Sequence, residues 1–353
     1  MPDGSLPNHS RLDHPSHTAL PTDLFEAVDN AFLVLAASAS LRYSASPGAF
    51  MYRFVEYLHL PEIAAAAFFG RLRHRRPASR ISFGPDRHQE AYFLRPERSA
   101  QRKRPLIIYI HGGGWRRGHP RYFRFIGRFF ARQGYPVLLC GYRLGPRHQF
   151  EEQLADIHTA VEHFFATPWA KLNRPRSAVV IGQSAGGHLG AHLAFAPAAG
   201  LIAPAAREGS GRPDHAPGNS ESIEILGFVS ISGVLSLRTG GWRYLERLIR
   251  NTARHPETRR AADPLDAMSA GRRRLPTLLV HGRADRIVPE AISRGFARKY
   301  EEVNGALPGL LLIPWARHNE LGLIFLGRRP RLTAFLLQWL AVLGEQRGKR
   351  DEQ

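Results

Sequence analysis

Residues 177–195, SAVVIGQSAGGHLGAHLAF, join an apolar β-branched run to a helical pattern through a very short turn. The first part predicts a buried strand and the second predicts a helix that begins at Ala185. Between them lies G-x-S-x-G, formed by Gly182, Ser184 and Gly186. In so tight a turn the two flanking positions meet, so both must be very small. The order strand, turn, helix predicts that Ser184 is a nucleophile held above the end of the sheet.

A second glycine-rich segment, YIHGGGWRRG at 109–118, contains the end of the predicted strand LIIYI. Glycine at a strand end lets the backbone approach a ligand closely, and consecutive N–H groups can form a concave anion site. If Ser184 attacks an acyl carbonyl, the N–H groups of Gly113, Gly114 and Ala185 are expected to stabilise the oxyanion. The residues expected to support this loop are His111, Gly112 and Trp115.

A serine hydroxyl needs a base, and that base needs an orienting group. The segment HGRADRIVPE places Asp285 just beyond the next-to-last predicted strand, and IPWARHNEL places His318 just beyond the last one. The chain order serine, acid, histidine is the order typical of a nucleophile elbow of this kind. All three residues follow the carboxyl ends of strands, where open α/β sheets bind ligands. The sequence therefore predicts a catalytic triad of Ser184, Asp285 and His318.

Other titratable residues near these strands are assigned structural roles. Glu320 follows the candidate histidine, so its place in the chain order is wrong for the triad acid. Asp263 and Asp266 precede a predicted strand and are expected in a helix or turn. His281 lies at a strand end and is expected to support the following loop.

Strand-like and helix-like segments alternate through residues 80–347. Eight strands are predicted, at RISFG, EAYFL, LIIYI, PVLLCG, SAVVIG, IEILGFVSIS, LPTLLVHG and GLLLIP, with helices at 120–133, 151–166, 185–196, 290–302 and 331–343. This alternation predicts a mostly parallel sheet flanked by helices, with an antiparallel first hairpin. Two insertions are expected, a loop at 198–222 and a helical segment at 239–262.

The N-terminal part of the chain has a different composition. Residues 1–22 are polar and are predicted to be a disordered tail. Residues 23–79 are predicted to be a helical extension whose many large apolar side chains need a partner. We expect this extension to form a cap over the active site, because an apolar substrate pocket needs apolar walls. The alternative is a contact with a membrane surface or with a second copy.

Composition excludes some classes of function. The net charge is +19, but arginine is scattered along the chain instead of being clustered with aromatic residues, so no nucleic-acid partner is expected. Cys140 is the only cysteine, so no intramolecular disulfide can form. The N-terminus has no signal-peptide pattern and no apolar run is long enough to span a membrane, so a cytoplasmic location is expected.

The motifs HGGGW, GQSAGG, HGRADRIVP and ARHN resemble those of α/β-hydrolase esterases of the hormone-sensitive-lipase-like and bacterial carboxylesterase group. The segment that starts at HGGGWRRG is also similar to the alkyl-ester and arylformamidase branch. The resemblance covers roughly residues 80–345. It implies an α/β-hydrolase fold, a serine esterase that forms an acyl-enzyme, a small-molecule acyl ester as substrate, and no metal or organic cofactor.

The resemblance also concerns the cap and leaves the subfamily open. In lipase-like members, N-terminal helices and an insertion after the sixth strand cover the site, and residues 23–76 and 239–262 match these. Those esterases usually carry Asp before the nucleophile, where this chain has Gln183. An amidase acting on aryl formamides and a noncatalytic binding protein of the same fold remain alternatives. Substrate, acyl-chain length and oligomeric state stay open.

Overall fold

The structure is a computed structural model that describes residues 78–97, 104–196, 202–203, 223–271 and 274–352. All of them lie in the larger of the two units into which the chain divides, Tyr52–Gln353. The expected tail at 1–22, all but the last two residues of the expected extension at 23–79, and most of the expected loop at 198–222 lie outside the described residues.

Nine strands form one sheet in the described part of the chain. They are β1 Ser79–Ser82, β2 Glu90–Leu94, β3 Leu106–Ile110, β4 Val137–Cys140, β5 Ser177–Gln183, β6 Ile202–Ala203, β7 Ile223–Ile231, β8 Thr277–Gly282 and β9 Gly309–Ile313. Their order is β1-β2-β4-β3-β5-β7-β8-β9, and β6 pairs with β7. The pairs β1–β2 and β2–β4 are antiparallel and the others are parallel.

All eight predicted strands, the mostly parallel sheet and the antiparallel first hairpin are confirmed. The two-residue strand β6 was not predicted and lies inside the stretch expected to be a loop. It pairs with Ile223 and Glu224 at the start of β7, whereas β8 pairs with β7 only from Phe228 onward. A strand of two residues is too short to carry a recognisable sequence pattern.

The described residues contain nine α-helices. They are α1 Arg124–Arg132, α2 Phe150–Phe165, α3 Pro168–Asn173, α4 Ala185–Phe195, α5 Arg243–Ile249, α6 Pro256–Ala261, α7 Pro264–Gly271, α8 Glu290–Asn304 and α9 Pro330–Glu352. The five predicted helices correspond to α1, α2, α4, α8 and α9, and the insertion at 239–262 is helical as predicted because it contains α5 and α6. No helix in this part of the chain is long and apolar enough to cross a membrane.

The central strands are buried on both faces. Every residue of β3 and β4 is buried, which is why these strands are continuous apolar runs and do not alternate with polar residues. Ile108 and Ile110 point into a core shared with α2, α4 and α8, whereas Ile107 and Tyr109 point into a second core shared with α1 and α9. The sheet therefore lies between two helical layers, and its carboxyl edge carries the loops described next.

Candidate active site

Ser184 occupies a strained turn between β5 and α4. Its backbone has φ 53° and ψ −120°, a conformation that non-glycine residues rarely adopt. Its N–H donates to the carbonyl of Ile231 at 3.0 Å, and its own carbonyl accepts from Gly187 at 2.9 Å and Val234 at 3.1 Å. Three backbone hydrogen bonds thus hold the serine in this conformation.

The two glycines that flank the serine have no room for a side chain. A Cβ on Gly182 would lie 2.3 Å from the carbonyl oxygen of Gly186. A Cβ on Gly186 would lie 2.1 Å from the carbonyl oxygen of Ile110. Because these neighbours are backbone atoms, moving them would distort the sheet and the turn. The turn therefore requires glycine at both positions.

The three residues of the predicted triad lie within hydrogen-bond distance of one another. His318 Nε2 is 2.8 Å from Ser184 Oγ, and His318 Nδ1 is 2.7 Å from Asp285 Oδ2. A carboxylate only accepts, so Nδ1 carries the hydrogen and Nε2 is left to accept from the serine hydroxyl. His318 and Asp285 are both buried.

The carboxylate of Asp285 is held by four donors. Its Oδ1 accepts the N–H groups of Ile287 and Val288, each at 2.9 Å. Its Oδ2 faces both His318 and His281, and His281 Nε2 lies 3.3 Å away. Burial raises the pKa of Asp285, but the charge of His318 and the hydrogen bonds from His281 and His318 outweigh it and lower the pKa well below its ordinary value. The carboxyl group of Asp285 is therefore ionised at neutral pH.

His281 was expected to support the loop after β8, and its contacts extend to the candidate acid. Its Nε2 lies 2.9 Å from the carbonyl oxygen of Val288, so this nitrogen carries a hydrogen. Its Nδ1 lies 2.7 Å from Ser293 Oγ in α8, and accepts from that hydroxyl. The side chain is fully buried. His281 thus joins α8, the loop and Asp285.

Residues 111–118, here called the glycine loop, pass directly against the nucleophile. A Cβ on Gly112 would lie 2.9 Å from the carbonyl oxygen of Gln183 and 3.0 Å from Ser184 Cβ. Gly113 and Gly114 have φ of 131° and 59°, which a side chain would make unfavourable. The N–H groups of Gly113, Gly114 and Ala185 donate to no acceptor within the described chain. They therefore remain available for a ligand.

His111 anchors the start of the glycine loop. Its Nδ1 donates to the carbonyl of Gly112 at 2.8 Å, and its ring stacks between Phe123 and Tyr142. Burial lowers the pKa of His111 to about 4, although the hydrogen bond to Gly112 opposes the shift. The ring is therefore neutral at physiological pH and serves as a structural element.

Trp115 connects the glycine loop to α4. Its side chain is fully buried and its φ is 57°. The indole Nε1 donates to His188 Nδ1 at 3.2 Å, and His188 Nε2 donates to the carbonyl of Ala262 at 2.7 Å. His192, one turn along α4, donates to the same carbonyl at 2.8 Å. Sequence reasoning missed this network; its only signal is two histidines four residues apart on an otherwise apolar helix.

The insertion at 239–262 contacts the glycine loop. Asn251 Nδ2 donates to the carbonyl of Gly114 at 3.2 Å. Leu248 of α5 would meet a Cβ on Gly114 at 3.2 Å. This segment therefore forms part of the surroundings of the candidate active site, and the role of Asn251 carried no sequence signal.

Gln183, which departs from the residue usual in the lipase-like esterases, has a defined partner. Its Oε1 accepts a hydrogen bond from the hydroxyl of Tyr109, 2.8 Å away on β3. This hydrogen bond joins the residue before the nucleophile, at the end of β5, to the neighbouring strand β3. Among the described residues, no group of three His, Cys, Asp or Glu side chains is arranged to hold a metal ion.

This sheet, with a serine at a strand–helix elbow and an acid and a histidine after later strands, defines an α/β hydrolase. Solved structures share the fold. Esterase B from Lactobacillus rhamnosis matches with a TM-score of 0.60 at 18% identity, covering 84% of this chain and 98% of that one. A thermophilic esterase from Thermogutta terrifontis matches with a TM-score of 0.51 at 24% identity, covering 76% and 92%. The predicted α/β-hydrolase fold is confirmed.

Within that class, the chain belongs to the BD-FAE family, which matches residues 93–300. It is also similar to Esterase LipC of Mycobacterium tuberculosis, with 29% identity over 269 residues. That match covers 71% of this chain and 62% of LipC, so this chain spans less than two thirds of that relative's length.

Proposed function

We propose that this protein is a serine hydrolase that cleaves carboxylic esters through an acyl-enzyme. The observation that carries the proposal is the continuous chain of contacts Asp285–His318–Ser184, with heavy-atom distances of 2.7 and 2.8 Å and with its acid and its base both buried. A serine with a base at this distance, and an acid orienting that base, is the arrangement that activates a hydroxyl for acyl transfer. The similarity to a protein named Esterase LipC supports the same activity.

In the acylation step, Ser184 Oγ attacks the acyl carbonyl while His318 Nε2 takes up its proton. Asp285 holds His318 by Nδ1–H and stabilises the imidazolium that forms. The carbonyl oxygen becomes negative and accepts hydrogen bonds from the N–H groups of Gly113, Gly114 and Ala185. Each such donor contributes about 2.7–4 kcal/mol to transition-state stabilisation. Collapse of the tetrahedral intermediate transfers the proton from His318 to the leaving alcohol.

Deacylation repeats these roles with water as the nucleophile. His318 removes a proton from water as it attacks the acyl-enzyme, and the same N–H groups stabilise the second oxyanion. The proton then returns to Ser184 Oγ and the carboxylic acid leaves. The strain at Ser184 helps both steps because it keeps Oγ fixed above the sheet edge.

The proposal is tested with the full-length protein and short-chain 4-nitrophenyl esters. We expect Ser184→Ala to abolish nearly all hydrolysis and to prevent labelling by a fluorophosphonate probe. Ser269→Ala is the matched control, because this hydroxyl donates only to the Leu265 carbonyl within α7; it should keep full activity and labelling. Labelling of Ser184→Ala at wild-type level would refute the assignment. A matched anilide and formamide panel measures whether esters are preferred over amides.

A further inference from the structure

We infer that a cavity in the insertion is a binding site for an anionic group, a carboxylate or a phosphate. The cavity has a volume of about 530 Å³ and is lined by Arg250, Arg254, Pro256 and Arg259. Three of these four residues are arginines; Arg250 and Arg254 lie in the segment that joins α5 to α6, and Pro256 and Arg259 lie in α6. This space is here called the arginine cavity.

The positive charges of the arginine cavity are largely unneutralised. Arg259 pairs with Glu246, at 2.5 Å between Nη1 and Oε1, and its Nε donates to the carbonyl of Ala253. Arg250 and Arg254 form no ion pair with any carboxylate of the described residues. Like charges brought together in a concave surface repel one another, so the free cavity carries an electrostatic cost that a bound anion removes.

A neighbouring cavity provides the contrast. It has a volume of about 380 Å³ and shares Arg259, but Asp263 and Asp266 also line it. There Arg238 pairs with Asp263 at 3.3 Å and with Asp266 at 2.8 Å. That space is lined by three arginines and two aspartates, whereas the arginine cavity is lined by three arginines and no carboxylate, so the excess of positive charge is larger in the arginine cavity.

The chemistry of guanidinium selects the ligand class. Its planar N–H groups bind the oxygens of a carboxylate or phosphate in a two-point arrangement, and the group stays charged at all physiological pH values. A cavity of this volume falls within the range of small-molecule sites, about 300–1,000 Å³. Pro256 adds an apolar wall. The arginine cavity therefore fits a small molecule with an anionic end and an apolar body.

The chain segment that lines the arginine cavity also contacts the glycine loop. Arg250 directly precedes Asn251, whose side chain donates to the carbonyl of Gly114. An anion held by Arg250 therefore acts one residue away from a direct contact to the glycine loop. The anion is either a part of the ester itself or a separate ligand that adjusts the loop, and this last step rests on the proposed function.

Binding is tested first, without reference to activity. Isothermal titration of the full-length protein with inorganic phosphate and with succinate should give saturable binding, and Arg250→Gln/Arg254→Gln should weaken it at least tenfold. Arg243→Gln is the control for the loss of a positive charge, because it removes one arginine from an exposed position of α5 outside the cavity; it should bind like wild type. Equal weakening in the control, or unchanged binding in the double variant, would overturn the inference.

The variants are chosen so that a loss of binding cannot be attributed to misfolding. Arg250 and Arg254 are exposed, so their replacement removes little packing, and the thermal midpoint of the double variant should match that of the control. Arg250→Lys/Arg254→Lys should recover part of the affinity, since the charge remains. Ser184→Ala should bind phosphate like wild type, so a failure of the proposed hydrolase function leaves this test intact.

The source of the anion is then measured with a matched pair of 4-nitrophenyl esters, one of a neutral acid and one of a dicarboxylic acid of equal chain length. If the anion belongs to the substrate, the double variant lowers the ratio of kcat/KM, anionic over neutral ester, at least tenfold. If it is a separate ligand, phosphate changes the rate on the neutral ester in wild type and in Arg243→Gln, and not in the double variant. Either result supports the site. If neither appears and phosphate does not bind, the inference is wrong.

Discussion

The indole nitrogen of Trp115 donates a hydrogen bond to Nδ1 of His188, 3.2 Å away. Trp115 belongs to the glycine loop, and His188 lies one turn beyond Ser184 on α4, so this bond links the proposed oxyanion donors to the helix of the nucleophile. Both side chains are fully buried. Burial lowers the pKa of His188 well below its ordinary value, which keeps Nδ1 free to accept.

Trp115→Phe should lower both stability and activity. An aromatic side chain is kept, although phenyl is smaller than indole, and His188 Nδ1 loses its donor inside the protein, which costs about 1–3 kcal/mol. The released loop should also lower kcat for short esters. Urea unfolding and ester kinetics measure the two effects. Trp169→Phe is the control, since Trp169 packs on Phe93 and Phe164 through its ring; the prediction fails if both variants behave alike.

Asp285→Asn should reduce kcat by about 10⁴, because an amide no longer favours the Nδ1–H form of His318. His281 does not replace the acid as the group that orients His318, since His281 itself donates toward the same carboxylate oxygen. Steady-state hydrolysis of a short ester measures the loss. Asp266→Asn, which changes an exposed partner of Arg238, should stay near wild type. A loss of less than tenfold at Asp285 would indicate that another acid orients the histidine.

Gly112→Ala should lower kcat strongly and have a smaller effect on the free energy of unfolding. Its Cβ would lie 2.9 Å from the carbonyl oxygen of Gln183 and 3.0 Å from Ser184 Cβ, so the glycine loop must shift. Displacement of catalytic groups by up to 1 Å costs about 10²-fold in rate. Gly295→Ala is the control in the interior of α8, where a Cβ meets only the end of Arg298. It should raise stability by about 1 kcal/mol and leave kcat unchanged.

Stability should fall as the pH drops from about 6.5 to about 4. Burial lowers the pKa of both His111 and His192 to about 4, whereas an unfolded histidine titrates near 6.5. In this window the unfolded chain binds more protons than the folded one, so acid favours unfolding, by on the order of 3 kcal/mol per histidine. The lowered pKa of Asp285 adds a loss that begins below about pH 4.

Urea unfolding at pH 7.5, 6 and 5 measures this slope. His192→Asn should make the free energy of unfolding less dependent on pH over that range, even though its value at pH 7.5 falls. His255→Asn, an exposed control, should leave the slope unchanged. A free energy of unfolding that is constant from pH 7.5 to 5 would contradict the assignment of neutral buried histidines.

Trp315→Gly should be more stable than Trp315→Ala by about 1 kcal/mol. Trp315 has φ 61° and is 88% exposed, so removing its side chain costs little packing, and only glycine avoids the steric penalty of the left-handed backbone. Thermal unfolding compares the two variants. The order should reverse at Phe335, an exposed position of helix α9, where alanine is favoured by about 1 kcal/mol.

The local order of the chain could be predicted because it is encoded by patterns a few residues long. Apolar runs buried on both faces predicted the central strands, and the spacing of glycines around Ser184 predicted the elbow. That Ser184, Asp285 and His318 lie close together could also be predicted. Each follows the end of a parallel strand, and parallel strands bring their carboxyl ends to one edge of the sheet.

The contacts that connect these parts could be found only in the tertiary structure. Trp115 meets His188 across 73 positions of the chain, and Asn251 meets Gly114 across 137. Side chains so far apart meet because helices and loops pack back onto the sheet, and no local pattern records which pairs will touch. The sequence by itself therefore determined the sheet, the elbow and the candidate triad, whereas packing decided how the glycine loop is held and where the uncompensated charge of the insertion gathers.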